Sequence, residues 1–262
     1  MKTVKAKFAE LRREKKKAFI AYLPFGFPSL KLTEKIIFAL ERAGVDLVEL
    51  GIPFSDPLAD GPIIQHASQV ALKQKATTDK LFRMLKNLKG KVKIPLAVMT
   101  YYNPLLKFGR KRFFKNLKAC GIFGLIVVDL PLEESRTYLK EARKYNLETI
   151  SFITPTTDFT RAKKIIKLTK GFIYYISVTG ITGPRSLRYQ PLALHIRSLK
   201  KKTKLPICVG FGIHNNKQVK EISKFSDGVI VGSAIVKFID YNHRKKDFLK
   251  KLENYVARLC TK

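Results

Sequence analysis

Apolar positions along this chain gather into short runs rich in β-branched and aromatic residues, separated by segments in which they recur three and four residues apart. Eight such runs occur: AFIAYL at 18 to 23, VDLVELG at 45 to 51, IPLAVMTY at 94 to 101, GLIVVDL at 124 to 130, TISFIT at 149 to 154, FIYYISV at 172 to 178, PICVGFG at 206 to 212 and GVIVGSA at 228 to 234. Near-continuous apolar strands of this kind are covered on both faces, as in a parallel sheet. The segments between them read as helices. Leu30 to Ala43 brings Ile36, Ile37 and Leu40 to one face, begins near Ser29 and stops at Gly44, and Thr78 to Leu88 and Pro131 to Tyr145 follow the same logic. Residues 4 to 16 form a leading amphipathic helix. The pattern predicts an α/β fold, a (β/α)8 TIM barrel over about residues 18 to 262 with an extra N-terminal helix, all in a single domain of residues 1 to 262. A doubly wound open sheet is the competitor, but it needs two strands fewer or a longer chain.

In such a barrel the active site lies where strands end and helices begin. Those positions carry PFSDPLADGP, YYNPL, DLPLEE, TPTTD, SVTGITGP, GFGIHNN and GSA, whereas the returns, such as RAGVD and ACGIFG, are plain. The loops after the second and sixth strands exceed the usual span of about 2 to 6 residues and read as lids. The most informative stretch is VELGIPFSDPLADGP, Val48 to Pro62, which sets Glu49 and Asp60 around a turn stiffened by proline and glycine. Period-two reading puts Glu49 on one face with Val45 and Leu47. A carboxylate there costs several kcal/mol if it stays ionised without a partner, so burial should raise its pKa into the range useful for proton transfer. A structural glutamate bonded to backbone amides is the alternative.

The last two strands end in VGFGI and VGSAI, where Gly210, Gly212, Gly232 and Ser233 let backbone amides approach an anion. Barrels of this class often bind phosphate there, and Gly183 in the loop after the sixth strand could add an amide. Simple tight turns are the alternative for each glycine.

Composition narrows the choice. With 262 residues and 45% hydrophobic content the chain can bury a sizeable core, and no apolar run approaches the roughly 18 residues a membrane span requires. The basic N-terminus lacks the features of an export signal. Cys120, Cys208 and Cys260 are far apart and read as reduced thiols of a cytoplasmic protein, and His66, His195, His214 and His243 are too scattered to indicate a metal. The formal charge of +32 invites a nucleic-acid reading, yet no recognition motif accompanies it, and a solvated basic exterior is favoured. The segment RKRFFKNLK spaces its apolar residues as a helix face would.

Taken in order, ELGIPFSDPLADGP, MTYYNP, DLPLEES, YYISVTGITGPRS, PICVGFGI and DGVIVGSAIV resemble the α subunit family of tryptophan synthase over essentially the whole chain. The resemblance implies a lyase that splits indole-3-glycerol phosphate into indole and glyceraldehyde 3-phosphate by a retro-aldol step. Glu49 matches the family's acid/base and Asp60 the acid that polarises the indole N–H. Environment suggests the same division: an inward Glu49 pushed toward neutrality, and an Asp60 in a polar loop that stays charged. Tyr174 matches a residue lining the site, Thr182 a lid threonine that meets Asp60, and Gly183, Gly212, Gly232 and Ser233 a phosphate cradle. Tyr22, Met99, Ile126, Asp129 and Phe211 fall on positions lining the substrate cavity, each with barrel core as its alternative.

Two positions depart from the family's usual pattern, Phe123 where an aspartate is common and Val70 where arginine often stands. The resemblance also implies a partner, a β subunit that carries pyridoxal phosphate and joins in an α2β2 tetramer, with Pro53, Pro57, Asn103 and Pro104 at the contact. This chain shows no lysine motif for that cofactor and needs none for the cleavage. Cytoplasm or plastid stroma suits such an enzyme. A non-catalytic barrel that activates the β subunit, and a basic nucleic-acid-binding protein, are the competing functions.

Overall fold

The structure is a computed structural model and describes residues 2–177, 189–210 and 212–260. Helices and strands alternate along the chain: α1 (Val4–Arg13), β1 (Ala18–Pro24), α2 (Leu30–Arg42), β2 (Leu47–Gly51), α3 (Pro62–Lys73), α4 (Thr78–Leu88), β3 (Leu96–Thr100), α5 (Tyr102–Phe108), α6 (Arg110–Cys120), β4 (Gly124–Val127), α7 (Ser135–Lys144), β5 (Glu148–Ile153), α8 (Phe159–Leu168), β6 (Ile173–Ile176), α9 (Gln190–Lys200), β7 (Ile207–Gly210), α10 (Asn216–Ser223), β8 (Gly228–Val231), α11 (Ser233–Asn242) and α12 (Phe248–Cys260). The eight strands pair in sequence order, every pair parallel, and β1 closes on β8, so the sheet is a closed barrel. The expected (β/α)8 barrel is therefore present, and the open sheet is excluded.

Local chemistry accounts for the helix limits. Ser29 caps α2 by accepting a hydrogen bond from the Leu32 N–H, and Thr77 does the same for α4 at Lys80. Two expected helices are shorter than read. The leading helix ends at Arg13, because Lys15 turns to φ 54° and the Lys16 N–H returns to the Leu11 carbonyl. The segment from Pro131 to Glu134 makes turns, with the Glu134 N–H bonded to the Pro131 carbonyl, and α7 starts only at Ser135.

Outward strand residues join the helices in one large apolar layer. Inward residues, including Ile20, Leu47, Ala97, Ile126, Phe172, Tyr174 and Ile230, form a second cluster, and α1 stoppers its lower end with Val4, Phe8 and Leu11. Carboxylates tie that N-terminal pole together. Asp46 accepts from the Phe19 N–H at 2.8 Å, Asp227 from the Ile207 N–H at 2.9 Å, and Glu148 from the Val4 N–H at 2.7 Å. Each bond joins segments distant in sequence, so the pole is built for rigidity and the chemistry is left to the other end.

Candidate active site

The register Tyr22 to Glu49 to Ala97 lines up β1, β2 and β3 just below the C-terminal mouth. Glu49 is fully buried, and neither carboxylate oxygen has a hydrogen-bond partner among the described residues. Burial alone pushes its pKa up to about 8, so at neutral pH it is held mainly as the acid. A structural glutamate would spend its oxygens on amides, as Glu148 does, so this observation excludes the alternative drawn from strand position. An orphaned buried carboxyl costs stability that core packing does not return, which makes Glu49 a candidate for proton transfer.

Two tyrosines flank it. Tyr22 on β1 and Tyr174 on β6 have phenol pKa values driven well up, first by burial and then by the neighbouring carboxylates Glu49 and Asp60. Glycines make their room. A Cβ on Gly51 would collide with the Tyr22 hydroxyl, and one on Gly210 would come within 2.6 Å of the Tyr174 ring. Gly210, read from sequence as an anion-facing amide, thus serves first as space for a tyrosine. Phe152 packs against the other side of Tyr174, with ring centroids 5.0 Å apart.

Asp60 stands in the loop between β2 and α3. Together with Tyr22, Gly51, Met99 and Tyr101 it borders a small cavity of about 10 Å³ at the barrel mouth. Its surroundings differ from the polar loop expected, since burial raises its pKa to about 6, partly offset by a hydrogen bond from the Tyr101 hydroxyl. Asp60 is still mostly ionised at pH 7, but nearer to titration than its sequence context suggests. Tyr101 is the residue that sequence reading missed. Its hydroxyl also accepts the Ala59 N–H at 3.0 Å, and its ring packs on Phe54 at 5.2 Å, so it fastens the acid's loop from two sides. Its signal was present in MTYYNP, directly after a strand on the active side, but nothing there distinguished it from Tyr102.

The other expected site residues divide. Met99 reaches the cavity, while Ile126 is wholly buried in the inner cluster. Asp129 is exposed and accepts the Tyr102 N–H at 2.7 Å, capping the start of α5. Gly232 and Ser233 begin α11, which has no side-chain cap among the described residues, so its first amides suit an anion. Gly212 adopts φ 72° and its carbonyl is engaged by Gln218 Nε2, which turns the strand end toward α10. Thr182, Gly183 and Phe211 lie outside the described residues. Of the two departures, Val70 is half-buried against the outer apolar layer, and Phe123 gives its carbonyl to the Glu148 N–H at 2.7 Å. No described helix is long and apolar enough to cross a membrane.

A chamber of this kind, with one buried acid, a second acid on the adjoining loop and an uncapped helix start, suits general acid/base chemistry on a ligand with a phosphate tail. Known proteins share the sequence and the fold. The sequence model of the family described as Tryptophan synthase alpha chain matches residues 8–261. The Tryptophan synthase alpha chain of Geotalea daltonii is 42% identical over 252 residues, covering 96% of this chain and 95% of its own. A crystal structure of tryptophan synthase subunit alpha from Legionella pneumophila superposes with a TM-score of 0.92 at 32% identity, covering 99% of this chain and 97% of that one. An aminoacrylate-bound tryptophan synthase from M. tuberculosis gives a TM-score of 0.87 at 28% identity, over 98% of this chain and 97% of that one. Barrel, chamber and matches over nearly the full length lead to one conclusion: the chain belongs to the tryptophan synthase alpha chain family.

Proposed function

We propose that Glu49 and Asp60 carry out the reaction of this family, the retro-aldol cleavage of indole-3-glycerol phosphate to indole and glyceraldehyde 3-phosphate. Family membership makes the chain a lyase of tryptophan biosynthesis. In the proposed sequence, protonated Glu49 delivers its proton to indole C3, and the resulting positive charge spreads toward the ring nitrogen. Ionised Asp60 accepts the indole N–H bond and stabilises that charge. The Glu49 carboxylate then takes the proton of the adjacent glycerol hydroxyl, the bond from C3 to that carbon breaks, and its electron pair restores the indole ring while the aldehyde forms. Glu49 ends protonated as it began. Tyr22, Met99, Ile126, Asp129, Tyr174, Thr182 and Phe211 belong to the proposed substrate pocket, and Gly183, Gly212, Gly232 and Ser233 to the phosphate cradle.

The observation carrying this reading is the unpartnered, fully buried Glu49 with its pKa near 8. Glu49→Gln keeps the shape and removes the proton. Indole release should vanish while glycerol 3-phosphate still binds, and retained turnover would remove Glu49 from the chemistry. The same result separates the lyase from a barrel kept only to activate a partner.

Alpha chains of this family act with a beta subunit, to which pyridoxal phosphate belongs, and we place no cofactor on this chain. We further propose that the beta subunit docks beside the mouth, in an α2β2 assembly, over a groove of about 660 Å³ bordered by Pro53, Phe54, Asn103, Pro104 and Leu106. Leu58, 96% exposed on the loop that carries Asp60, continues that apolar surface. A cytoplasmic setting accords with this assignment.

A further inference from the structure

A cavity of about 710 Å³ lies at the N-terminal pole, opposite the chamber of Glu49. Four separate segments build it: α1, the return from α7 into β5, the return from α8 into β6 and the return from α9 into β7. Each contributes cations to the rim, Lys5 and Arg12 from α1, then Arg143, Lys170 and Lys204. All five are exposed, and none is ion-paired with a described carboxylate. Arg12 is nevertheless held in place, because its Nη2 donates to the Lys204 carbonyl at 3.1 Å.

One acid offsets this charge only in part. Glu148 borders the cavity beside Lys5, its oxygens bonded to the Val4 and Lys5 amides at 2.7 and 3.2 Å, and among the described residues it is the one carboxylate in a lining with five cations. Beneath the cations the lining turns apolar, with Phe8 and Leu147 buried and Ile166 and Leu205 half-buried. A volume of this size falls in the range of small-molecule sites, about 300 to 1,000 Å³. Cations converging on a hollow from four directions suit a compact polyanion better than an extended strand, whose contacts would run in a stripe over the surface.

We propose that this cleft binds a small, multiply phosphorylated ligand, a nucleoside triphosphate by class, with its phosphates among Lys5, Arg12, Arg143, Lys170 and Lys204 and its ring on the Phe8 and Ile166 floor. The site stands at the opposite end of the barrel from the phosphate cradle proposed at α11, so its test is independent of the lyase reading. It also gives part of the +32 formal charge a function.

Calorimetric titration of the full chain with ATP tests it, at about 150 mM salt to screen diffuse attraction and with saturating glycerol 3-phosphate to fill the cradle at the other pole. Saturable one-to-one binding is expected. The double variant Arg143→Glu, Lys170→Glu should weaken it by about tenfold or more, whereas Lys111→Glu, Lys115→Glu on α6 makes the same change in net charge and should alter it by less than about twofold. Circular dichroism and the thermal midpoint confirm that both variants fold. Lack of saturable binding, equal loss in both double variants, displacement of ATP by glycerol 3-phosphate, or adenosine binding as tightly as ATP would each overturn the proposal. So would single-stranded RNA binding more tightly than ATP through Arg143 and Lys170, which would make the cleft part of a nucleic-acid surface.

Discussion

The ring of Tyr174 fills the space in front of Gly210, where a Cβ would come within 2.6 Å of the ring carbon Cε1 and of the hydroxyl. The ring has nowhere to retreat, since Phe152 packs on it at 5.0 Å and Phe172 at 6.4 Å. Gly210→Ala should therefore displace Tyr174, cost about 1–3 kcal/mol of stability by overpacking and lower kcat/KM far more than Gly61→Ala, where a Cβ meets nothing within 4 Å. Thermal melts and steady-state indole release on the two variants check this, and equal activity would refute it.

Glu49→Gln should stabilise the fold while it abolishes activity. Folded Glu49 holds its proton up to about pH 8, whereas in the unfolded chain it titrates near 4.5. Between those values the native state binds more protons, so stability falls as pH rises. By pH 7 this costs on the order of 3 kcal/mol. The variant's gain in thermal midpoint should be small near pH 4.5 and several degrees above pH 7, and a gain independent of pH would contradict it.

Activity should follow a bell. Asp60 must be ionised and Glu49 protonated in the free enzyme, so kcat/KM should rise through about pH 6 and fall through about pH 8. In Asp60→Asn, measured over the same range, the acid limb should disappear with most of the activity.

Tyr101→Phe removes the hydroxyl that accepts the Ala59 N–H and donates to Asp60. Losing that bond raises the Asp60 pKa, so the acid limb of the profile should move to higher pH, with kcat/KM down by about tenfold, the worth of roughly one hydrogen bond to a charged group. An unmoved limb would show that Tyr101 only fills space.

Leu58→Asp places a charge on the apolar surface proposed for the beta subunit. Activation by added beta subunit should weaken while basal indole release by the alpha chain alone stays near wild type. Undiminished activation would move the docking surface elsewhere.

The strands were legible because a parallel barrel buries both faces, which forces the β-branched runs that mark β1 through β8. Glu49 was legible for the same reason, as an acid set among residues that had to face inward. Asp60 was found, but its pKa was not, because its burial depends on Tyr101 and Met99 arriving from β3, a contact that no local pattern encodes. Asp129 was named from its place after β4, and its hydrogen bond from the Tyr102 N–H at the start of α5 is a contact that a strand-end rule cannot foresee. The cationic cleft was hidden because its four segments are scattered between Lys5 and Lys204 and meet only through the barrel's closure.

Helix α1 seats Val4, Phe8 and Leu11 against the lower end of the inner cluster. The reaction vessel is consequently blind-ended. On the proposed lyase reading, whatever forms beside Glu49 departs by the opening through which its precursor came, because among the described residues the inner cluster and α1 close the other end. Trimming that helix would uncover Phe172, on which the Phe8 ring packs at 5.6 Å, and so would cost packing without opening a passage.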